Sequence, residues 1–367
     1  MSDDTRRALL AWFNQHKRDL PWRRTHDPYA IWVSEIMLQQ TRVTAVLEHY
    51  ARWMERFPNI PALARAGEAE VLAAWSGLGY YRRARMLHHA AQAVVSEHKG
   101  ALPRTASALC KLPGIGEYTS AAIASIAFGE PIAVVDGNVE RVMTRLGGLA
   151  PAPGQAAGPA NEASSAEDLT ANPAPPGTTA ALEPSPPGQT SATSTARAIR
   201  ALAQQLVSSE RPGDSNQAMM ELGATVCLPK APLCLHCPVQ PWCRTRGEHV
   251  SMPRKPLIAR AITYALVRRA ADGHILLRQR AADASLMAAM WELPELAEVT
   301  ADAEVILRLR HAITVTNYLV SIVRLGEEQA GHLAGTWRWV PVSELPELPL
   351  TGLARKVLRR LELWPRT

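Results

Sequence analysis

Leu112-Pro113-Gly114-Ile115-Gly116, the alanine-rich run Glu117–Gly129 and then Val134-Val135-Asp136-Gly137-Asn138 form the stretch on which the reading of this chain turns. A Gly-x-Gly after a proline makes a tight turn whose backbone can approach another molecule closely. The alanine-rich run favours helix, so the turn's amides stand at a helix N-terminus, where a phosphate is attracted. Asp136 follows at the start of the next predicted helix. It reads either as a functional carboxylate or as that helix's N-cap.

At 367 residues the chain is long enough for two or three domains with cores of their own. A formal charge of +6 and a pI near 9.2 have the sign expected of a nucleic-acid binder. Arginine supplies most of the positive charge, which suits bidentate phosphate contacts. No apolar run reaches membrane-spanning length, and the polar start Met1–Arg7 does not read as a signal peptide. The expectation is a cytoplasmic protein without membrane contact.

Asp3–Arg18 carries Leu9, Leu10, Trp12 and Phe13 at helical spacing. After the loop Pro21-Trp22-Arg23, Asp27-Pro28 marks a helix start, with the aspartate as cap and the proline in the first turn. The helix it opens, Tyr29–Gln40, is apolar around one acid, Glu35. Helical patterns continue at 42–56, 68–76 and 82–98, punctuated by Gly77-Leu78-Gly79-Tyr80-Tyr81. Residues 151–195 break the pattern with nine prolines, no Lys or Arg and no aromatic, and are expected to be disordered. They hold four acids, Glu162, Glu167, Asp168 and Glu183, so the remainder carries +6 + 4 = +10. Helical pattern resumes at 196–207 and 214–224. The insert thus interrupts one helical unit. After a basic link, 244–259, strand-like alternation begins. Ile262–Val267 and His274–Arg280 around Asp272-Gly273 read as a β-hairpin. Strands at 311–325 and 335–340 are expected around a helix at 302–310, with a last helix at 351–361. Residues 260–367 therefore read as a separate α+β domain.

Two features carry chemistry. Cys227, Cys234, Cys237 and Cys243 are spaced Cys-x6-Cys-x2-Cys-x5-Cys, a density that holds either zinc or an iron–sulfur cluster. Cys110 stands apart and reads as a small buried apolar residue. Glu35, amid an apolar helix, must find a partner or have its pKa raised by desolvation. A carboxyl kept protonated near neutrality serves as a general acid. The structural alternative is an ion pair with an arginine or a bond to a buried amide.

Together, Leu112–Gly116, the Val135–Asn138 turn and the cysteine spacing resemble the helix-hairpin-helix base-excision DNA glycosylases with a 4Fe–4S cluster loop. Pro21-Trp22-Arg23, Ser34-Glu35-Ile36-Met37-Leu38-Gln39-Gln40-Thr41, Gly77–Tyr81 and Asn216–Ala224 narrow this to the A/G-mismatch adenine glycosylases of the MutY family. The similarity covers residues 5–148 and 196–243, and more weakly 260–362. It implies a multi-domain architecture. The all-α glycosylase domain spans 1–243, with a six-helix part at about 20–138 and the cluster loop 227–243. A Nudix-like α+β domain follows at 260–367.

The resemblance also implies roles. Gly114 and Gly116 grip a phosphate beside the lesion, and adenine is flipped into a pocket. Glu35 protonates the adenine and then activates water, while Asp136 stabilises the oxocarbenium-like sugar. This applies the two-carboxylate logic of O-glycoside hydrolysis to an N-glycoside. Tyr118 and Asn138 orient the chemistry. Trp22, Arg23 and Gln217 line the adenine pocket, and Leu38 belongs to the same DNA-binding surface. Gln40 and Tyr80 wedge into the duplex. The four cysteines hold one 4Fe–4S cluster of structural role. Bifunctional relatives carry a lysine two residues after the second hairpin glycine; here Tyr118 stands there, which implies base removal without strand cleavage. The implied partner is double-stranded DNA with A opposite 8-oxoguanine or G, bound by a monomer.

In the C-terminal domain Trp291-Glu292-Leu293-Pro294 fits the Nudix-like start, and no hydrolase box follows it. The recognition loop reads His311-Ala312-Ile313-Thr314-Val315-Thr316-Asn317-Tyr318. Thr314 can supply the serine hydroxyl of the family pattern, whereas Val315 cannot replace its histidine donor. The competing readings are a relative acting on G/T mismatches or oxidised pyrimidines, and a non-catalytic mismatch-binding protein.

Overall fold

The computed structural model describes residues 1–149, 189–247, 258–284, 286–297, 303–313, 316–330 and 336–365, residues 189–193 by backbone alone. Helices come first: α1 (Asp3–His16), α2 (Pro28–Leu38), α3 (Val43–Arg56), α4 (Ile60–Arg65), α5 (Glu68–Trp75), α6 (Arg82–His98), α7 (Ala106–Leu109), α8 (Glu117–Phe128), α9 (Gly137–Gly147), α10 (Gln189–Leu206) and α11 (Pro212–Thr225). The remainder is mixed: β1 (Ile258–Val267), β2 (Ile275–Gln279), β3 (Trp291–Glu292), β4 (Glu295–Leu296), β5 (Val305–Ile313), β6 (Thr316–Leu325), α12 (Glu327–Ala330), β7 (Trp337–Val340) and α13 (Gly352–Arg360). This is the expected sequence of an all-α region followed by an α+β region. No described helix is long and apolar enough to cross a membrane.

The chain divides into two compact units, each assembled from separated segments: 1–47 with 93–254, and 48–92 with 255–367. In the first, α1, α9, α10 and α11 bury Leu9, Phe13, Val142, Met143, Leu206, Met219 and Leu222 against one another. Helix α2 packs on α8. Its start is set as the sequence predicts, with the Asp27 carboxylate accepting from the Tyr29 amide and Pro28 in the first turn. Asn216, fully buried, pins α11 to the α8–α9 link. Its amide donates to Ser125 Oγ and Ile132 O, and its carbonyl accepts from Val134 N.

In the second unit, Trp53, Phe57 and Trp75 meet edge to face. The strands form two sheets, ordered β4-β1-β6-β5 and β3-β2-β7, with β1 and β6 parallel. Tyr264, Leu277, Val320, Ile322, Val340 and Val357 fill the core they share with α13.

Several expectations are corrected. The Asp272-Gly273 turn forms, with the Gly273 amide donating to Arg269 O, but the strands it joins part into different sheets after the single bridge Arg268–Ile275. Residues 305–310, expected as helix, are strand β5. Leu307 and Leu309 alternate with Arg308 and Arg310, and pairing with β6 satisfies the backbone. Helix α10 reaches back to Gln189, into the stretch expected to be disordered; residues 150–188 lie outside the described residues. Cys110 is exposed as the C-cap of α7, not buried. The compact units also depart from a division at residue 243, because 48–92 bonds to the C-terminal segment. Ser76 Oγ and Tyr81 Oη both donate to Leu350 O, and Arg85 donates to Ala288 O.

Candidate active site

The hairpin Leu112–Gly116 connects α7 to α8. Gly114 takes φ 71°, a left-handed conformation that favours glycine, and the Ile115 amide closes the turn on Leu112 O. Gly116 is the N-cap of α8, so Tyr118 falls in that helix's first turn. Its hydroxyl donates to Glu35 Oε2 at 2.5 Å and lies 3.7 Å from Met220 Sδ. Glu35, 5% exposed, therefore takes a phenol as its partner rather than an arginine.

Burial is the main force raising the Glu35 pKa to about 7. The charge of Asp136 adds to the rise, while the Tyr118 bond and the more weakly felt Arg23 oppose it. Asp136 is indeed the N-cap of α9. One carboxylate oxygen accepts from Val139 N at 2.7 Å, and the other accepts from Asn138 Nδ2 at 2.9 Å. Burial raises its pKa against those two bonds and against Arg141. A buried and a half-buried carboxyl of unequal environment thus share one site, the arrangement that separates an acid from a base.

Arg141 escaped the sequence reading. It donates to Asn138 Oδ1 at 2.9 Å, to Gly223 O at 2.7 Å and to Cys227 O at 2.8 Å. One guanidinium therefore joins the Asp136 cap to α11 and to the first cysteine. Glu221 also escaped it. Fully buried, it accepts from Arg18 and Arg23, which hold it down to about 2. The available signal was an acid inside the apolar run Met219–Leu222, the same signal that marks Glu35.

The remaining predicted residues separate by unit. In the first, Trp22 is buried, and Arg23 is engaged with Glu221, Arg18 O and the face of Phe13. Gln217 and Leu38 are half-buried, and Gln40 follows α2 with φ 54°. In the second unit, Tyr80 is 44% exposed with φ 47°. Left-handed conformations cost energy at non-glycine residues and gather at functional sites. Thr314 and Val315 lie outside the described residues.

Cys227, Cys234, Cys237 and Cys243 line one cavity together with the buried Arg145. Arg145 donates to Leu228 O, to Pro229 O and, at 3.4 Å, to Cys227 Sγ, while its Nε finds no hydrogen-bond partner among the described residues. Among the described residues no three His, Cys, Asp or Glu side chains are gathered as a single metal ion requires. The thiols instead surround a space with a buried cation on its wall. Four thiols around one space are a donor set that fits either zinc or an iron–sulfur cluster.

The helix–hairpin–helix with its capping aspartate places the chain in a known class. The family model described as "HhH-GPD superfamily base excision DNA repair protein" matches residues 33–159. An adenine DNA glycosylase of Mycolicibacterium smegmatis is 39% identical over 271 residues, spanning 73% of this chain and 78% of that protein. The adenine DNA glycosylase of Mus musculus is 43% identical over 265 residues, covering 68% of this chain and 44% of the mouse protein, so the chain spans less than half the length of that relative. Among solved structures, a thermostable thymine-DNA glycosylase superposes with TM-score 0.51 at 27% identity, over 66% of this chain and 96% of its own. The chain belongs to the adenine DNA glycosylase family.

Proposed function

We propose that this chain hydrolyses the N-glycosidic bond of adenine mispaired with 8-oxoguanine or guanine in duplex DNA and leaves an abasic site. The observation that carries this is Glu35, a buried carboxyl with its pKa raised to about 7, hydrogen-bonded to Tyr118 and within the field of a second, half-buried carboxylate, Asp136. Glu35 protonates the flipped adenine, which makes the base a better leaving group, and then takes a proton from the attacking water. Asp136, held by the Val139 amide and Asn138, stabilises the positive charge that develops on the sugar. The hairpin's backbone, with Gly114 and Gly116, takes a phosphate next to the lesion. Trp22, Arg23 and Gln217 bound the base pocket, Leu38 belongs to the DNA-binding surface, and Gln40 and Tyr80 enter the duplex. Tyr118, in place of a lysine, makes the reaction a hydrolysis without strand scission.

Cys227, Cys234, Cys237 and Cys243 hold a 4Fe–4S cluster in this reading, with Arg145 beside it. Bound there, the cluster supplies a rigid centre for the loop and no redox step. The C-terminal α+β part is a Nudix-like domain that reads the base opposite adenine, with Thr314 at its contact loop.

The test is base release from duplexes carrying A opposite 8-oxoguanine, G and C. Excision is expected opposite the first two and not the third. A G/T duplex belongs in the same assay, because thymine is the base named for the solved relative. Release of thymine but not adenine would replace this reading. Borohydride trapping should give no strong covalent adduct.

A further inference from the structure

The 76–81 loop raises a separate question: what holds an exposed aromatic in a strained backbone. Gly77 (φ 110°), Gly79 (φ 70°) and Tyr80 (φ 47°) all take left-handed conformations within this loop. Tyr80 does so as a residue 44% exposed, so burial does not secure it. Part of the restraint is local. Trp75 Nε1 donates to Gly79 O at 3.0 Å. Arg83 donates to Leu78 O and Gly79 O and lies over the rings of both Trp75 and Tyr80.

The rest comes from residues more than 250 positions later in the same compact unit. The Leu350 carbonyl accepts from Ser76 Oγ at 3.1 Å and from Tyr81 Oη at 2.9 Å, at the two ends of the loop. The Arg355 guanidinium, on α13, donates to Ser76 O, which His49 Nε2 also meets at 3.1 Å. Arg355 is an expensive choice for this position. Burial and the neighbouring Arg359 and Arg52 hold its pKa down to about 10. Its Nε is buried without a hydrogen-bond partner, and among the described residues it makes no ion pair with a carboxylate; the Trp364 ring, 5.0 Å away, gives it an aromatic face but no counter-charge. A cation desolvated without a counter-ion destabilises the fold unless its hydrogen bond accomplishes something an apolar residue would not.

We propose that Arg355 and the Leu350 carbonyl are positioning groups for Tyr80, through which the C-terminal domain sets the wedge that enters the duplex. The inference rests on the glycosylase reading above for its substrate, a mismatched duplex. It assigns the C-terminal segment a second task beside inspection of the opposite base. Arg355 touches no reacting atom and acts through the Ser76 carbonyl and the loop it starts.

The experiment is a double-mutant cycle on the full chain. Arg355→Met keeps length and removes charge, Arg355→Lys restores one donor, and Tyr80→Leu removes the aromatic wedge. Arg360→Met, at an exposed position of the same helix, is the control. The first readout is the fluorescence of 2-aminopurine placed beside an A·8-oxoguanine pair, which reports unstacking on binding and needs no base excision. The second is single-turnover excision from the same duplex. Arg355→Met should lower the unstacking signal and slow excision by about tenfold, with Arg355→Lys recovering part of both; in the Tyr80→Leu background the same change should cost less than about twofold. Equal losses in both backgrounds would make Arg355 merely structural and overturn the proposal, as would wild-type behaviour of Arg355→Met. Failure of the parent chain to excise adenine, with the fluorescence response intact, would overturn the glycosylase reading while leaving the coupling decided by fluorescence. Failure of the parent chain to bind the duplex would overturn both.

Discussion

Glu35 lies on a helix whose residues from Tyr29 to Met37 are all buried, and loss of water is the main reason its pKa reaches about 7. Its folded pKa therefore exceeds its ordinary 4.5. Such a group stabilises the fold fully below the lower value, and that contribution is lost as pH rises through the upper one. Glu35→Gln abolishes the charging cost. The variant's melting temperature relative to the parent should rise between pH 5 and pH 8.5, with an upper bound of about 3 kcal/mol on the gain. The same variant should bind the mismatched duplex and release no base; substantial excision would remove Glu35 from the acid role. In the parent chain, single-turnover excision should fall as pH rises through about 7, because the acid must be protonated to act. Tyr118→Phe removes the hydrogen bond that opposes the rise. Its descending limb should move to higher pH while the maximal rate drops, since the carboxyl is no longer oriented. An unmoved limb would mean that the phenol does not tune Glu35.

Among the elements, the junction of α9 and α11 is the most exacting. A Cβ at Gly223 would stand 2.6 Å from Asn138 Cβ, closer than real Cβ contacts come, and a tight 3.0 Å from Asn138 O. Asn138 in turn holds Asp136, and Arg141 ties both to Cys227 O. Gly223→Ala should cost about 1–3 kcal/mol of stability by overpacking. It should also slow excision with little change in mismatch affinity, measured by single-turnover kinetics beside a binding titration. This junction also shows what the sequence made legible. Asp136 before Gly137-Asn138, Asp27 before Pro28 and Gly116 before the alanine run are local signals, and each produced a helix start where expected. Arg141, Arg18 and the partners of Glu221 were not legible, because the contacts that tie them to other elements span 82 residues or more of sequence in a chain rich in arginine. Residues 305–310, expected as helix, escaped because the alternation of Leu307 and Leu309 with two arginines covers only four positions. Tertiary pairing with β6 decided the matter.

For the whole molecule, composition and period separate helical from mixed regions near residue 258, yet compactness divides the chain differently. Residues 48–92 belong with 255–367, although they are helical and lie inside the span similar to the glycosylases. The physical reason is a set of polar bonds that no periodicity can announce: Ser76 and Tyr81 on Leu350 O, Arg355 on Ser76 O, and Arg85 on Ala288 O. A chain ending at residue 254 would lose every one of these partners, taking Leu350 O from the Tyr81 hydroxyl and leaving Ser76 O with His49 alone. Each such bond is worth about 1 kcal/mol net, and loosening should concentrate where they ended rather than spread through the core built by α1, α9, α10 and α11. Amide hydrogen exchange on the shortened chain should therefore accelerate at residues 75–85 while residues 139–146 and 216–222 keep the protection they have in the full chain. Uniform acceleration across both regions would mean that the helical part folds as one cooperative body, and that residues 48–92 do not depend on the C-terminal segment in the way their hydrogen bonds indicate.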